Sequence, residues 1–169
     1  AYQAAVAQAQ AAQLAALHEL SRRPDGTADF KIDIKPLEEC AAQGVRAYAV
    51  VPVGSNAAKP VGYALLADGI GWDKLVVLVG LSADLSRITG LEIVECRETP
   101  GLGERIKTEK FREQFRKPTD KPLELVKRAP QPGTPQIEAI TGATISSTAV
   151  TDMVNDVVKK ARTLIRPAS

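Results

Sequence analysis

The sequence has few of the side chains that carry redox or metal chemistry by themselves. Its 169 residues include one His, two Cys, one Met and one Trp. The two cysteines, Cys40 and Cys96, allow at most one disulfide, and they form no CxxC pair, CxxCH haem signature or zinc spacing. A single histidine cannot build a metal site. The composition therefore excludes haem and zinc proteins and predicts no metal site.

An excess of one charge is also lacking. The 22 Lys and Arg residues are nearly balanced by 20 Asp and Glu residues, and the formal net charge of +2 is too small to indicate a nucleic-acid groove. Three Phe, three Tyr and one Trp leave little surface for base stacking. The length and a hydrophobic share of 44% are ordinary for one globular domain with its own core.

No run of apolar residues approaches the roughly 20 that a membrane-spanning helix needs. The best runs, 47–53 and 75–79, predict strands instead. Because the sequence begins at Ala1 rather than at Met, we expect a mature or truncated form whose targeting segment or membrane anchor preceded residue 1.

Helix propensity and hydrophobic patterning predict an α+β fold. Residues 1–22 are rich in Ala, Gln and Leu and contain no Gly or Pro, which predicts a long N-terminal helix ahead of a single domain over 23–169. Four β-prone segments predict two hairpins, the first turning at 54–56, and hence a mainly antiparallel sheet. These segments are 45–53, 61–68, 74–82 and 88–97, and 123–127 is a further predicted strand.

Helix signals complete the pattern. Thr108 is predicted to cap a short helix that stops at Lys117-Pro118, and the Pro-rich stretch 129–135 is predicted to be a loop. A final helix shows apolar residues on one face from about 147 to 165, directly after a Thr-Gly-Ala-Thr segment. The prediction is a sheet with flanking helices, the last of which starts at that segment.

The residues before this last helix are the first segment that could carry chemistry. Five of the eight residues Thr141-Gly142-Ala143-Thr144-Ile145-Ser146-Ser147-Thr148 are hydroxylic. A helix start supplies free N–H groups and a positive dipole end, which suit a phosphate. Ser and Thr are also favoured there simply as N-caps. Composition alone therefore leaves a phosphate site and a plain cap open, although the absence of GK[ST] excludes a Walker P-loop.

The second segment is Glu98-Thr99-Pro100-Gly101-Leu102-Gly103, which follows a predicted strand. Pro-Gly with a second Gly nearby is typical of a tight turn. The same residues also suit a loop whose backbone amides and Glu98 carboxylate face a planar ligand. A weaker signal is Trp72 after Gly69-Ile70-Gly71, where the indole could instead fill the core or lie at a hairpin tip.

The two segments together resemble the FMN-binding domain family, in particular its RnfG branch, the G subunits of Rnf electron-transport complexes, to which the NqrC branch is related. The order of features fits: the Gly-Ile-Gly-Trp stretch, a strand pair, the Glu-Thr-Pro-Gly-Leu-Gly turn, a short helix, then Thr-Gly-Ala-Thr before the last helix. The resemblance extends from about 45 to 158. The Ile-Ser-Ser continuation at 145–147 is closer to the Rnf branch.

This resemblance implies a covalent cofactor. FMN is joined in the family by a phosphoester to the last Thr of the motif, here Thr144, and a separate flavin transferase is expected to move it there from FAD, because a Thr hydroxyl is a poor nucleophile unaided. A preparation made without that transferase would lack the flavin. The remaining predicted cofactor-binding residues are Thr141, Gly142, Ala143, Ile145, Ser146 and Ser147 at the phosphate, and Trp72, Glu98, Thr99, Leu102 and Gly103 at the isoalloxazine.

One residue departs from the family pattern. The family often carries Asp shortly before the Thr-Gly-Ala-Thr motif, and the matching acid here is Glu138. If the transferase requires Asp, modification would be slower, although the negative charge is kept.

The expected function is electron transfer by a flavoprotein subunit of a membrane-bound, ion-translocating redox complex of the Rnf type, with no independent substrate turnover. The partners would be other subunits of that complex, and the domain would lie on the extracytoplasmic (periplasmic) face of the cell membrane. Two alternatives stay open: a stand-alone extracytoplasmic flavin reductase acting on a diffusible acceptor, and a non-catalytic assembly module in which Thr-Gly-Ala-Thr is only a helix cap.

Overall fold

The computed structural model describes residues 32–52, 62–70, 74–96 and 103–165. The predicted N-terminal helix over 1–22 and the predicted hairpin turn at 54–56 lie outside these described residues. Within them the chain builds one large sheet, one small strand pair and short helices that precede a long final helix.

Five strands form one antiparallel sheet in chain order. The longest hairpin pairs nine positions, from Gly62 opposite Ser82 to Ile70 opposite Lys74. The predicted α+β fold with a mainly antiparallel sheet is therefore confirmed. The strands are β1 Ile32–Pro36, β2 Ala47–Pro52, β3 Gly62–Ile70, β4 Lys74–Ser82 and β5 Ile88–Cys96.

A small strand pair and the helices accompany this sheet. The strands β6 (Glu124–Val126) and β7 (Gln136–Glu138) run parallel, and the predicted loop at 129–135 lies between them. The helices are α1 Glu38–Ala41, a 3-10 helix Gly103–Lys107, α2 Glu109–Glu113 and α3 Thr144–Leu164. Helix α3 starts at Thr144, three residues before the hydrophobic pattern predicts, because the hydroxylic Thr144 and Ser146 do not extend the apolar face.

Helix α3 packs against β3 and β4. Val150, Val154, Val157 and Ala161 recur at helical spacing, and each is at most 3% exposed, so they form the buried stripe of this helix. They share one core cluster with β-strand residues such as Leu65, Val77 and Val79. Of the helices that the structure describes, none combines the length and apolar character needed to cross a lipid bilayer.

The segment from the 3-10 helix to α2 is fixed to this core by two aromatic rings. Phe111 and Phe115 are buried and meet edge to face, with ring centroids 5.2 Å apart. Thr108 stands at the N-cap position of α2, but its hydroxyl donates to the Arg105 carbonyl at 2.7 Å instead of accepting from the helix. Thr108 is therefore the N-cap residue as predicted, but its hydroxyl does not cap α2, because it is bonded to the 3-10 helix.

Gly69 marks a close approach between β3 and α3. A Cβ built on Gly69 would overlap the Met153 side chain, which is itself buried. The absence of a side chain at position 69 therefore lets the helix lie directly on the strand.

We predict that Gly69→Ala lowers the free energy of unfolding by about 1–3 kcal/mol, because the new methyl group forces Met153 out of its place. The double variant Gly69→Ala/Met153→Ala should lose about 0.5–3 kcal/mol less than the sum of the losses in the two single variants, because the shorter side chain at 153 relieves the overlap. Urea unfolding of the two single variants and the double variant measures this coupling, and strict additivity would contradict the close packing.

The turn between β4 and β5 is organised by Asp84. Its Oδ1 accepts hydrogen bonds from Ser82 Oγ at 2.8 Å, Ser86 Oγ at 2.6 Å and Ser86 N at 3.0 Å. These bonds, first of all those from the Ser86 and Ser82 hydroxyls, lower the pKa of Asp84 from 3.8 to about 2. They also hold Leu85, which is buried with a φ of 62°. The carboxylate thus stabilises a turn that contains an unfavourable backbone conformation.

We predict a pH-dependent contribution from Asp84. Because the pKa is lowered in the fold, the carboxylate stabilises the protein fully above about pH 3.8, and this contribution is lost as the pH falls through about 2. Asp84→Ala should therefore be less stable than the wild type at pH 7, and the difference should shrink between pH 4 and pH 2. Denaturant unfolding across this range tests it, and a gap that does not depend on pH would contradict the assignment.

Candidate functional site

A short turn carries the chain from β7 into α3. The Ala143 N–H donates to the Ile140 carbonyl at 2.9 Å. Gly142 adopts a φ of +83°, which a side chain would disfavour, and Ala143 is only 2% exposed. The small residues in the middle of Thr-Gly-Ala-Thr therefore serve the turn that places Thr144 at the start of the helix.

The N-terminus of α3 has no side-chain cap within the described chain. The N-cap residue is Ala143, whose side chain has no oxygen. The first intrahelical bond is donated by the Ser147 N–H to the Ala143 carbonyl at 2.9 Å, so the N–H groups of Thr144, Ile145 and Ser146 precede the helical ladder. The first turn also contains no acidic residue. This end of a 21-residue helix therefore presents a positive dipole without a protein anion from its own first turn.

Most hydroxyls of α3 bond to their own helix. Those of Ser147, Thr148, Thr151 and Thr163 each donate to the carbonyl four residues earlier, at 2.7–3.0 Å. The plain-cap alternative predicts that the hydroxyls of this segment satisfy the free N–H groups. The Ser147 and Thr148 hydroxyls donate to carbonyls instead, and no side-chain hydrogen bond caps the helix among the described residues, which weighs against that alternative.

Ser147 has a structural role as well. Its Oγ accepts from the Ile140 N–H at 3.1 Å while donating to Ala143, so one buried hydroxyl joins the end of the β7 segment to the start of α3. The Ser147 hydroxyl thus both donates and accepts a hydrogen bond within the protein. Its role in cofactor binding would therefore be indirect, through the position of the loop.

The Ser146 hydroxyl differs from these four. The residue is fully buried, yet its Oγ finds no hydrogen-bond partner in the described part of the chain. An unpartnered buried hydroxyl costs free energy and calls for a ligand or water as its partner. Beside it, Thr144 is half-buried and Ile145 is 46% exposed, an unusual exposure for a large apolar residue in this structure.

Two side chains from the 3-10 helix and α2 fix the approach to the turn. Arg105 donates from Nη1 to the Thr141 carbonyl at 2.8 Å. Gln114 accepts from the Glu138 N–H at 2.7 Å and donates to the Glu138 carbonyl at 3.4 Å, as a neighbouring strand would. The end of β7 and the turn that follows it are therefore held by the segment that comes after the Glu-Thr-Pro-Gly-Leu-Gly motif.

The predicted site residues divide into two groups. Thr141 to Ser147 lie together on the turn and the first turn of α3, and Gly103 begins the 3-10 helix whose Arg105 reaches Thr141. The structure thus brings the end of one motif next to the other. The remaining predicted residues, Trp72, Glu98, Thr99 and Leu102, lie outside the described residues.

Arg105 and Gln114 were not predicted from the sequence. The only available signal was that Arg105 follows Gly103 by two residues, inside a segment with many charged residues. Such a segment is most simply a solvated helix face, so the pattern did not single out either side chain.

Cys40 does not add redox chemistry to this region. The thiol is free and buried in the core. Burial, together with the nearby Glu39 carboxylate, raises the pKa of Cys40, so its reactive thiolate form is disfavoured. Cys40 is therefore a core residue.

A separate groove lies toward the other end of α3. Its volume is about 480 Å³, and it runs between residues 118–123 and the C-terminal half of the helix, where Asn155, Lys159 and Arg162 line it. None of the predicted site residues lines this groove, so it is distinct from the turn at Thr144.

Comparison with known proteins agrees with the motifs. Residues 71–159 match the family model of the FMN-binding domain. The chain is 39% identical over 99 residues to the G subunit of the ion-translocating oxidoreductase complex of Methanosarcina acetivorans, covering 58% of this chain and 50% of that protein. It is 45% identical over 80 residues to the G subunit of the Na⁺-translocating ferredoxin:NAD⁺ oxidoreductase complex of Acetobacterium woodii, covering 47% and 38%. The chain thus spans half or less of the length of these two relatives.

A solved structure shares the fold. The C subunit of the Na⁺-translocating NADH-quinone reductase of Parabacteroides distasonis superimposes with a TM-score of 0.62 at 22% identity. The match covers 90% of this chain and 76% of that one. At this identity the likeness concerns the architecture alone.

We predict different effects on stability for two neighbouring buried serines. Ser147→Ala should lower the free energy of unfolding by about 1–3 kcal/mol, because the Ile140 N–H loses its acceptor. Ser146→Ala should leave the stability of the flavin-free protein unchanged or slightly higher, because it removes a hydroxyl without a partner. Thermal and urea unfolding of the two variants tests this, and equal losses would contradict the assignment of Ser146 as unpartnered.

Proposed function

The chain belongs to the FMN-binding domain family, and we propose that it carries FMN covalently at Thr144 as an electron-transfer subunit of a membrane-bound, ion-translocating redox complex. The observation that carries this proposal is the uncapped first turn of α3, where the buried Ser146 hydroxyl has no partner among the described residues. The names of the two G-subunit relatives support the assignment to an Rnf-type complex.

The residues at this helix end fit a phosphate. Three N–H groups and the helix dipole favour an anion there. The Ser146 hydroxyl could donate to a phosphate oxygen, and the exposed Thr141 could do the same. Arg105 adds a positive charge beside the Thr141 carbonyl. Ser147 would act indirectly, by keeping the turn in the shape that presents Thr144.

Attachment requires a second enzyme and a defined exchange of bonds. Thr144 Oγ would form a bond to the FMN phosphorus of FAD, the anhydride bond of FAD would break, and AMP would leave as the hydroxyl proton is lost. A flavin transferase would supply the activation that an unaided Thr hydroxyl lacks. In this chain Glu138 occupies the position of the acid that we expect such a transferase to recognise, and Gln114 holds its backbone.

When bound, the flavin supplies one- and two-electron transfer that the side chains of this sequence cannot provide. We propose that Trp72, Glu98, Thr99, Leu102 and Gly103 border its ring system and tune its potential through polarity and hydrogen bonds. The domain would then relay electrons between other subunits of the complex rather than turn over a substrate of its own.

We further propose that the domain works on the extracytoplasmic face of the cell membrane, held there by a membrane anchor. The support for this location is the resemblance to Rnf-type subunits and the names of the relatives, which are subunits of ion-translocating complexes.

We predict that production with a flavin transferase and FAD increases the intact mass by that of FMN minus water. Thr144→Val should abolish this increase, because it removes the hydroxyl that forms the ester. Thr148→Val is the matched control: it makes the same chemical change one helical turn later, at an exposed position, and should be modified like the wild type.

The measurement is intact mass together with flavin absorbance that survives denaturation and gel filtration. Circular dichroism verifies that both variants are folded. An unmodified wild type, in a reaction where the transferase modifies a known substrate protein, would overturn the proposal. A wild type that is modified but reduces a small diffusible acceptor with saturation kinetics would favour the reductase alternative over the relay.

A further inference from the structure

The fold brings the Arg105 side chain to the proposed attachment loop. Its Nη1 donates to the Thr141 carbonyl at 2.8 Å, although the two residues are 36 positions apart in the sequence. The next residue, Ile106, is fully buried, and Thr108 hydrogen-bonds the Arg105 carbonyl through its hydroxyl at 2.7 Å. The backbone that carries the guanidinium is therefore fixed, and the exposed side chain contacts the attachment loop through this hydrogen bond.

Within the described residues, most N–H donors of the Arg105 guanidinium have no acceptor. The group carries five N–H donors, and among the described residues the Thr141 carbonyl accepts from one of them. The side-chain ion pairs within the described residues do not include it; they are Arg46–Asp68, Arg112–Glu92 and Lys160–Asp156. The first turn of α3 offers it no carboxylate either. Within the part of the chain that the structure describes, the charge of Arg105 and its other N–H groups therefore have no partner, and they could serve an anion near the start of α3.

From these contacts, and resting on the proposed function, we propose that Arg105 is the residue that positions the attachment loop and pairs with the phosphate joining FMN to Thr144. One N–H holds the Thr141 carbonyl, three residues before Thr144. The remaining donors stabilise the phosphate charge while the Thr144 oxygen–phosphorus bond forms and AMP leaves FAD. A planar, permanently charged guanidinium suits a phosphate better than the point charge of a lysine.

This role also explains why the two motifs act together. Arg105 follows Gly103 by two residues, so it is placed by the segment that ends the Glu-Thr-Pro-Gly-Leu-Gly motif. Its contact on Thr141 reaches the first residue of the Thr-Gly-Ala-Thr motif. A displacement of the Glu-Thr-Pro-Gly-Leu-Gly segment would therefore also move the Arg105 charge away from the Thr-Gly-Ala-Thr turn.

Arg116 provides a matched control. It is an exposed arginine on the same segment, and its removal changes the net charge equally. Its carbonyl accepts a hydrogen bond from Arg87 Nη2 at 3.1 Å. Among the described residues, no hydrogen bond or ion pair joins the Arg116 side chain to the attachment loop, in contrast to Arg105.

The test measures the rate of modification by a flavin transferase with FAD, using intact mass, for the wild type, Arg105→Gln, Arg105→Lys and Arg116→Gln. We expect Arg105→Gln to be modified about tenfold more slowly or worse, which is the scale of one lost charged hydrogen bond. Arg105→Lys should fall between Arg105→Gln and the wild type, and Arg116→Gln should match the wild type. Added salt should slow the wild type more than Arg105→Gln.

A second readout follows the attached phosphate itself. Once each variant is fully modified, the phosphorus-31 NMR resonance of the ester should differ from the wild type in Arg105→Gln and not in Arg116→Gln. Thermal unfolding verifies that all variants are folded.

The outcomes separate the two proposals. A wild type that takes no FMN overturns the proposed function and this inference together. A wild type that is modified, with Arg105→Gln equal to Arg116→Gln in rate and resonance, overturns the inference alone. A slower Arg105→Gln with an unchanged resonance and no difference in salt dependence assigns Arg105 to loop positioning only and overturns its pairing with the phosphate.

Discussion

The start of α3 is the constraint on which the rest of the structure depends. A long helix must leave its first N–H groups without intrahelical partners, and here Ala143 at the N-cap position cannot supply one. The sheet fixes this end in space, because the buried stripe of α3 packs on β3 and β4, and Gly69 lets the helix approach closely. The Ser147 hydroxyl then joins the helix to the turn that precedes it.

Two adjacent serines at the start of α3 differ in their roles: one stabilises the fold, and the other is available to a ligand. Ser147 uses both bonding directions of its hydroxyl on the backbone, whereas Ser146 uses neither within the described residues, although both are fully buried. A sequence shaped only for stability would place an apolar residue at 146, since a buried hydroxyl without a partner destabilises a protein. Retaining a serine there is consistent with a ligand that supplies the missing bond.

The fold was predictable where elements are long and apolar, and less so where they are short. Strands β2 to β5 follow from runs of β-branched and Leu residues, while β1 and β7 have three to five residues and too little pattern to detect. Helix α3 was predicted from its apolar face, but its first residue, Thr144, could not be found that way. The site followed from motifs that resemble a family, yet Arg105 and Gln114 belong to no pattern. Only the tertiary structure brings them to the turn.

The scarcity of reactive side chains in this sequence agrees with a site that offers hydrogen-bond donors and positive charge instead of a nucleophile. With its free Cys40 buried and its thiolate disfavoured, the described part of the chain contributes donors, a helix dipole and a fixed guanidinium rather than a nucleophile of its own. Groups of this kind favour an anion, whereas a Thr hydroxyl is a poor nucleophile without a base beside it. If Thr144 forms an ester, the activation must come from outside, and the features of this fold are the ones that would keep the ester in place once it has formed.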